Sequence, residues 1–130
     1  MSKKVILIID DEKDFCNLIK LNLEQVGDFE VLTAYDGKEG IEIMRRHKPD
    51  LVLLDIMMPV MDGLTALKIM KEDFEIMAIP VVMLTAKDDD LSRVKAIWSY
   101  CQDYIVKPIT TEELKAKIEA ILNKQQGPKN

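Results

Sequence analysis

Three runs of branched aliphatic residues, VILIID (Val5 to Asp10), LVLLD (Leu51 to Asp55) and VVMLTA (Val81 to Ala86), constrain this chain more than any other feature. Continuous apolar runs this short, bounded by polar residues, are the pattern of strands covered on both faces, and such strands belong inside a parallel sheet. Two further runs, EVLTA (Glu30 to Ala34) and DYIVKP (Asp103 to Pro108), are more mixed, as edge or near-edge strands are. Helical stripes lie between them: Phe15, Leu18, Ile19, Leu23 and Val26; Leu67, Met70 and Phe74; Leu91, Val94 and Trp98; Leu114, Ile118, Ile121 and Leu122. A weaker helix in DGKEGIEIMRRHKPD turns Ile41 and Met44 inward. Five strands alternating with five helices predict an α/β fold, a doubly wound five-stranded parallel sheet with right-handed crossovers. Ligands of such sheets sit at the carboxyl ends of the strands.

A length of 130 residues suits one domain with a core of its own. Residues 1–124 are expected to form that domain and 125–130 a C-terminal tail or linker stub, because Gly127-Pro128 stops the last helix. No apolar run approaches the roughly 20 residues that span a bilayer. The opening MSKKVILIID is too short in apolar residues for a signal peptide, so a cytoplasmic chain without a membrane segment is expected. Cys16 and Cys101 have neither disulfide-framework nor zinc-site spacing and read as reduced thiols. A net charge of -5 argues against direct nucleic-acid binding, which needs a clustered basic surface.

The polar residues at the strand tips carry the chemistry. Asp10, Asp11 and Glu12 follow the first run, Asp55 ends the third, Thr85 closes the fourth and Lys107 the fifth. Carboxylates converging in one crevice repel and raise one another's pKa unless a cation holds them, and an all-oxygen set suits Mg2+, with Mn2+ able to substitute. Acids at a helix N-terminus explain one or two residues of DDE on their own, since they cap free amides and favour the helix dipole. They do not explain Asp55. A carboxylate nucleophile, a metal site, a hydroxyl and an ammonium together equip a site for phosphoryl transfer onto an aspartate. His47, in RRHKP at a helix end, reads as a surface residue, and Asp88 to Asp90 as a solvated cap of the fourth helix.

From about Lys4 to Lys124 the chain resembles the receiver domains of bacterial response regulators. The resemblance is carried by IIDDE with Asp10 and Asp11, LVLLDIMMPVMDG with Asp55, VVMLTA with Thr85, and DYIVKPI with Tyr104 and Lys107. The ordered set, in which Asp11, Asp55, Thr85 and Lys107 are separated by 44, 30 and 22 residues, is far more specific than any one piece. It implies the CheY-like, flavodoxin-like sheet order 2-1-3-4-5. It also implies phosphotransfer to Asp55 from a sensor histidine kinase or histidine phosphotransfer protein, with Mg2+ bound by Asp11, Asp55 and the backbone carbonyl of Met57, and by Asp10 largely through water. Such a domain catalyses its own phosphorylation and dephosphorylation and is not an enzyme with a separate substrate.

The resemblance further implies a switch in which Thr85 moves inward and Tyr104 follows, altering the surface of helix four, strand five and helix five for a downstream effector domain or target protein. Arg93, Asp103, Glu113 and Lys117 could supply the ion pairs of a homodimer through that surface. A cis Lys107-Pro108 bond is implied too; the sequence itself shows only an X-Pro bond. Methionine at position 57 and Lys87 offer no acceptor to orient an attacking water, which predicts a long-lived phosphoaspartate. The chain departs from the pattern at Tyr100 and Cys101, where a Gly-Ala pair is common, and at Ile109, where phenylalanine is frequent.

Three rival readings meet specific residues. A flavin mononucleotide carrier of this fold needs a phosphate-cradling first loop, whereas DDEKD repels phosphate. A haloacid-dehalogenase-like phosphatase needs an aspartate two residues after its nucleophile, where this chain has Met57. A phosphorylation-independent interaction module usually lacks one of the pocket residues, and here all are present.

Overall fold

The computed structural model describes residues 3–86 and 101–125. The expected fourth helix, with Leu91, Val94 and Trp98, lies outside the described residues, as do Lys87, Asp88 to Asp90, Arg93, Tyr100 and residues 126–130. The three aliphatic runs form β1 (Lys4–Ile9), β3 (Leu51–Asp55) and β4 (Val81–Ala86). All five residues of β3 are buried. The more polar runs form β2 (Phe29–Ala34) and β5 (Asp103–Lys107). The sheet is parallel throughout, in the order β2-β1-β3-β4-β5, with the two mixed strands at its edges as their composition requires.

Alternation along each strand divides the core in two. Ile6, Ile8, Leu51, Leu53, Val82, Leu84 and Ile105 face α1 (Lys13–Val26) and the C-terminal helix α4 (Thr111–Gln125), the last of the expected helices. Leu7, Ile9, Val52, Leu54, Val81 and Met83 face α2 (Gly37–His47) and α3 (Gly63–Glu72). All four apolar residues anticipated in α4 are buried, and so are Ile41 and Met44 in α2. The starts of α2 and α3 are capped by side chains: Asp36 accepts from the Glu39 amide at 2.8 Å, and Asp62 from the Thr65 amide at 2.8 Å. Among the described residues no helix is long and apolar enough to cross a membrane.

Two stripes differ from expectation. In α1 the buried residues are Cys16, Ile19 and Leu23, while Leu18 is 53% exposed and Val26 39%. At 100° per residue, Leu18 falls roughly 130° from the centre of the face those three define, so it cannot share it. After α3, Phe74 is 92% exposed because the helix ends at Glu72 and the cap residue Asp73 takes an extended conformation. That conformation breaks the 3.6-residue spacing, and Ile76 fills the core position instead. The turn is tied back to α2 by Arg45, whose Nε lies 2.8 Å from an Asp73 oxygen.

Between β1 and β3 the winding reverses: the chain leaves β1 for β2 on one side, then crosses to β3 on the other. The crevice of a doubly wound sheet opens at that reversal, beyond the carboxyl ends of the two strands. Asp10 and Asp55 stand there.

Candidate functional site

Asp10 follows the last residue of β1. Its backbone amide donates to the Ala34 carbonyl at 3.0 Å, and its carboxylate accepts from the Glu12 amide at 2.9 Å. The side chain is wholly buried and fixed beneath the start of α1. Asp55 ends β3, its carboxylate also buried, and the next peptide is held on both sides: Ile56 donates to the Leu84 carbonyl at 3.1 Å and accepts from the Gly63 amide at 2.8 Å. Gly63 is at the start of α3, and a Cβ there would meet the Asp55 carbonyl oxygen and stand 2.8 Å from the Ile56 Cα. Only glycine lets α3 pack this close to the end of β3.

The oxygens that Asp10, Asp11 and Asp55 offer lie within 4.8 Å of one another, with Asp11 exposed at the rim. Lys107, the last residue of β5, reaches into this cluster. Its Nζ is 2.7 Å from an Asp10 oxygen, 3.6 Å from an Asp55 oxygen and 4.0 Å from Glu12. The Lys107-Pro108 peptide is cis. Thr85, on β4 beside Asp55, is fully buried, and its hydroxyl donates to the Ala86 carbonyl at 3.2 Å. Tyr104 pairs with Met83 in the β4–β5 ladder and packs, partly buried, against the core on the α2–α3 side. Met57 is largely exposed beside the cluster, and His47 is exposed at the end of α2, as expected of a surface residue. The sequence-designated residues from four separate strands thus meet at one end of the sheet.

The electrostatics of the cluster follow from its burial. Asp55 is pushed up to about 7, first by loss of water and then by the neighbouring charge of Asp10, with Lys107 pulling the other way. Burial draws the Lys107 ammonium down, but the hydrogen bond to Asp10 and the charge of Asp55 outweigh it and leave the pKa raised. The Cys16 thiol, which donates to the Asp10 carbonyl at 3.3 Å, is pushed up to about 12 by burial and by Asp10, so it is an inert structural group.

One ammonium among Asp10, Asp11 and Asp55 leaves surplus negative charge in a crevice where two of the three carboxylates are buried. Two oxygens opposite each other across Mg2+ stand about 4.2 Å apart, so a cluster confined within 4.8 Å accepts such an ion with a small adjustment. The donor set is all oxygen and hard, which favours Mg2+ or Mn2+ over softer metals.

Two contacts carry no signal in the sequence. Asp10 pairs directly with Lys107, 97 positions away. The ring of Phe15, on the first turn of α1, has the same ammonium 4.3 Å from its centroid. An aromatic residue near a strand tip is common, so only the folded chain reveals this one. On the face expected to dimerise, Lys117 pairs with Asp103 of its own chain at 3.0 Å, and Glu113 accepts from the Thr110 hydroxyl at 3.1 Å.

Comparison with known proteins gives a consistent result. A family model described as the response regulator receiver domain matches residues 6–119. Among solved structures, the N-terminal domain of a response regulator receiver protein from Methanoculleus marisnigri JR1 is 41% identical, with a TM-score of 0.74 over 91% of this chain and 95% of that one. A CheY-like response regulator receiver domain protein from Methanospirillum hungatei JF-1 is 29% identical, with a TM-score of 0.84 over 96% of this chain and 98% of the other. NtrX from Brucella abortus is 30% identical with a TM-score of 0.85; the match takes in 95% of this chain but 28% of that one.

Proposed function

The chain belongs to the response regulator receiver domain family of two-component systems, and from that premise we propose that Asp55 is its phosphoacceptor, taking a phosphoryl group from the phosphohistidine of a sensor histidine kinase or histidine phosphotransfer protein. The observation that carries the reading is the position of Lys107, whose ammonium lies within 3.6 Å of Asp55 while paired to Asp10. A phosphoryl group arriving at Asp55 meets a cation already within reach, which can turn from Asp10 to one of its oxygens and offset part of its charge.

In the transfer, an Asp55 oxygen attacks phosphorus in line, the P–N bond to the donor histidine breaks, and that imidazole nitrogen keeps the electron pair. Lys107 binds a phosphoryl oxygen, and the Thr85 hydroxyl, at the neighbouring strand tip, donates to another. Asp11, Asp55, the Met57 carbonyl and, through water, Asp10 would hold Mg2+, which would supply positive charge to offset that of the transferred group. The chain acts on itself and turns over no separate substrate. Thr85 and Tyr104 sit on paired strands, which suits them to pass the change to the surface around β5 and the C-terminal helix. A downstream effector domain or target protein reads that surface, and a homodimer through it is one output. The domain works in the cytoplasm without contacting nucleic acid itself.

Incubation with acetyl phosphate and Mg2+, followed by intact-mass measurement, tests the proposal. One phosphoryl group is expected on the wild type and none on Asp55→Asn. Stoichiometric labelling of the variant, or an unlabelled wild type at saturating Mg2+, overturns it.

A further inference from the structure

We propose that Phe15 is a positioning residue for Lys107, holding the ammonium over the pocket through the face of its ring; the proposal rests on the reading of Asp55 as phosphoacceptor. Lys107 hangs on a flexible four-carbon stem from β5, an edge strand, and such a side chain has much rotamer freedom to lose. Among the described residues its polar partners are the carboxylates of Asp10, Asp55 and Glu12, at 2.7, 3.6 and 4.0 Å. Each of them loses or changes its hold when a phosphoryl group or a cation enters. Phe15 is the partner that does not change. Its ring packs against the core cluster containing Ile6, Ile8, Leu84 and Ile105, and its centroid lies 4.3 Å from Nζ, inside the range of about 6 Å over which a ring face attracts a cation.

The form of the interaction matters. A carboxylate holds an ammonium at one point and along one direction, so Asp10 alone would pin Lys107 where it stands. Attraction to a ring face is broad, and the ammonium can pass from Asp10 to an incoming phosphoryl oxygen while staying over the ring. An aliphatic side chain at position 15 covers part of the same core surface without this attraction, and ring fluorination weakens the attraction at nearly constant shape. Electronic and steric roles are therefore separable.

The test replaces Phe15 with 4-fluoro-, 3,5-difluoro- and 3,4,5-trifluorophenylalanine, which progressively weaken the ring's negative face at nearly constant shape, and adds Phe15→Tyr and Phe15→Leu. Three quantities are measured: the rate of Mg2+-dependent labelling at Asp55 by acetyl phosphate, the thermal midpoint, and the NMR shifts of the Lys107 side-chain methylene protons in metal-free protein. The expected rate falls stepwise with fluorination, by roughly two- to tenfold across the series, the range for loss of a partly exposed cation–π contact. Phe15→Tyr stays near wild type, Phe15→Leu matches the trifluoro variant, and the thermal midpoints of the fluorinated proteins stay constant. Ring-current upfield shifts at Lys107 are expected in the wild type and absent from Phe15→Leu. A flat rate across the fluorinated series, or unshifted Lys107 protons in the wild type, overturns the proposal. If the wild type takes no phosphoryl group, the reading of Asp55 falls, and with it this role in transfer, while the Lys107 shifts separately establish whether the contact itself exists.

Discussion

Lys107 pairs with Asp10, at 2.7 Å, in preference to the phosphoacceptor candidate Asp55, at 3.6 Å. The ammonium that Asp55 needs is thus held by its neighbour, and Asp55 keeps a carboxyl pKa near 7 because burial and the charge of Asp10 both raise it. Asp10→Asn removes one raising influence and releases Lys107 toward Asp55. The Asp55 midpoint, followed by carboxyl-carbon NMR in metal-free protein, is expected to fall by roughly one unit or more. A midpoint that stays put or rises contradicts this account of the cluster.

The same shift makes metal-free stability depend on pH in a defined direction. The folded Asp55 pKa, about 7, lies above the ordinary value of 3.8, so between those values the native state binds more protons than the unfolded chain. This group's contribution to stability therefore declines as pH rises from about 4 to about 7 and levels off above. Asp55→Asn is expected to flatten that decline and to raise the thermal midpoint at pH 8 by roughly 3–6 °C, the shift produced by about 1 kcal/mol in a domain of this size. Added Mg2+ is expected to stabilise the wild type far more than the variant. A variant less stable than wild type at pH 8 without metal would show that Asp55 is not under repulsion.

Gly63 sets how closely α3 approaches β3. A methyl group there meets the backbone of Asp55 and Ile56, which cannot rotate away as a side chain can. Gly63→Ala is expected to destabilise the fold by about 1–3 kcal/mol in urea titrations, overriding alanine's better helix propensity. Labelling at Asp55 should slow as well. Unchanged stability would mean that the loop between β3 and α3 yields easily.

The edge strand β2 is covered in an unusual way by two side chains of α1. Glu24 accepts from the Val31 amide at 3.0 Å, and Lys20 donates to the Val31 carbonyl at 2.8 Å while pairing with Glu24 at 2.9 Å. Together they occupy the amide and carbonyl of Val31, in the middle of the edge, which interrupts the row of groups that a strand from another chain would pair with. The double variant Lys20→Ala/Glu24→Ala is expected to self-associate with rising concentration in light scattering while the wild type does not. A strictly monomeric double variant removes this role from the pair.

With Asp55 as the proposed phosphoacceptor, Met57 is expected to bear on how long a phosphoryl group stays there. Its side chain is largely exposed beside the cluster and has no strong acceptor with which to orient water. Met57→Asn is expected to accelerate hydrolysis of the phosphoaspartate severalfold, about the effect of placing one hydrogen-bonding group correctly. Loss of phosphate at fixed Mg2+ measures it, and an unchanged rate assigns the lifetime to other residues.

Much of this architecture is local and was therefore legible in the residues alone. Aliphatic runs, their polar ends and the alternation with helical stripes depend on neighbours within a few positions, so five strands, their parallel arrangement and a cluster of Asp10, Asp11, Asp55, Thr85 and Lys107 at the strand tips could all be read from the chain. Where several apolar residues compete for one face, the pattern does not choose: packing on the sheet took Cys16 in place of Leu18, and a break at Asp73 sent Phe74 to solvent and Ile76 to the core. Nor does spacing distinguish carboxylates that surround the same ammonium. The preference of Lys107 for Asp10, the ring of Phe15 beside it and the raised pKa of Asp55 arise from distances of a few ångströms between residues as much as 97 positions apart, where Coulomb and dispersion energies change steeply and only the folded backbone sets the separation.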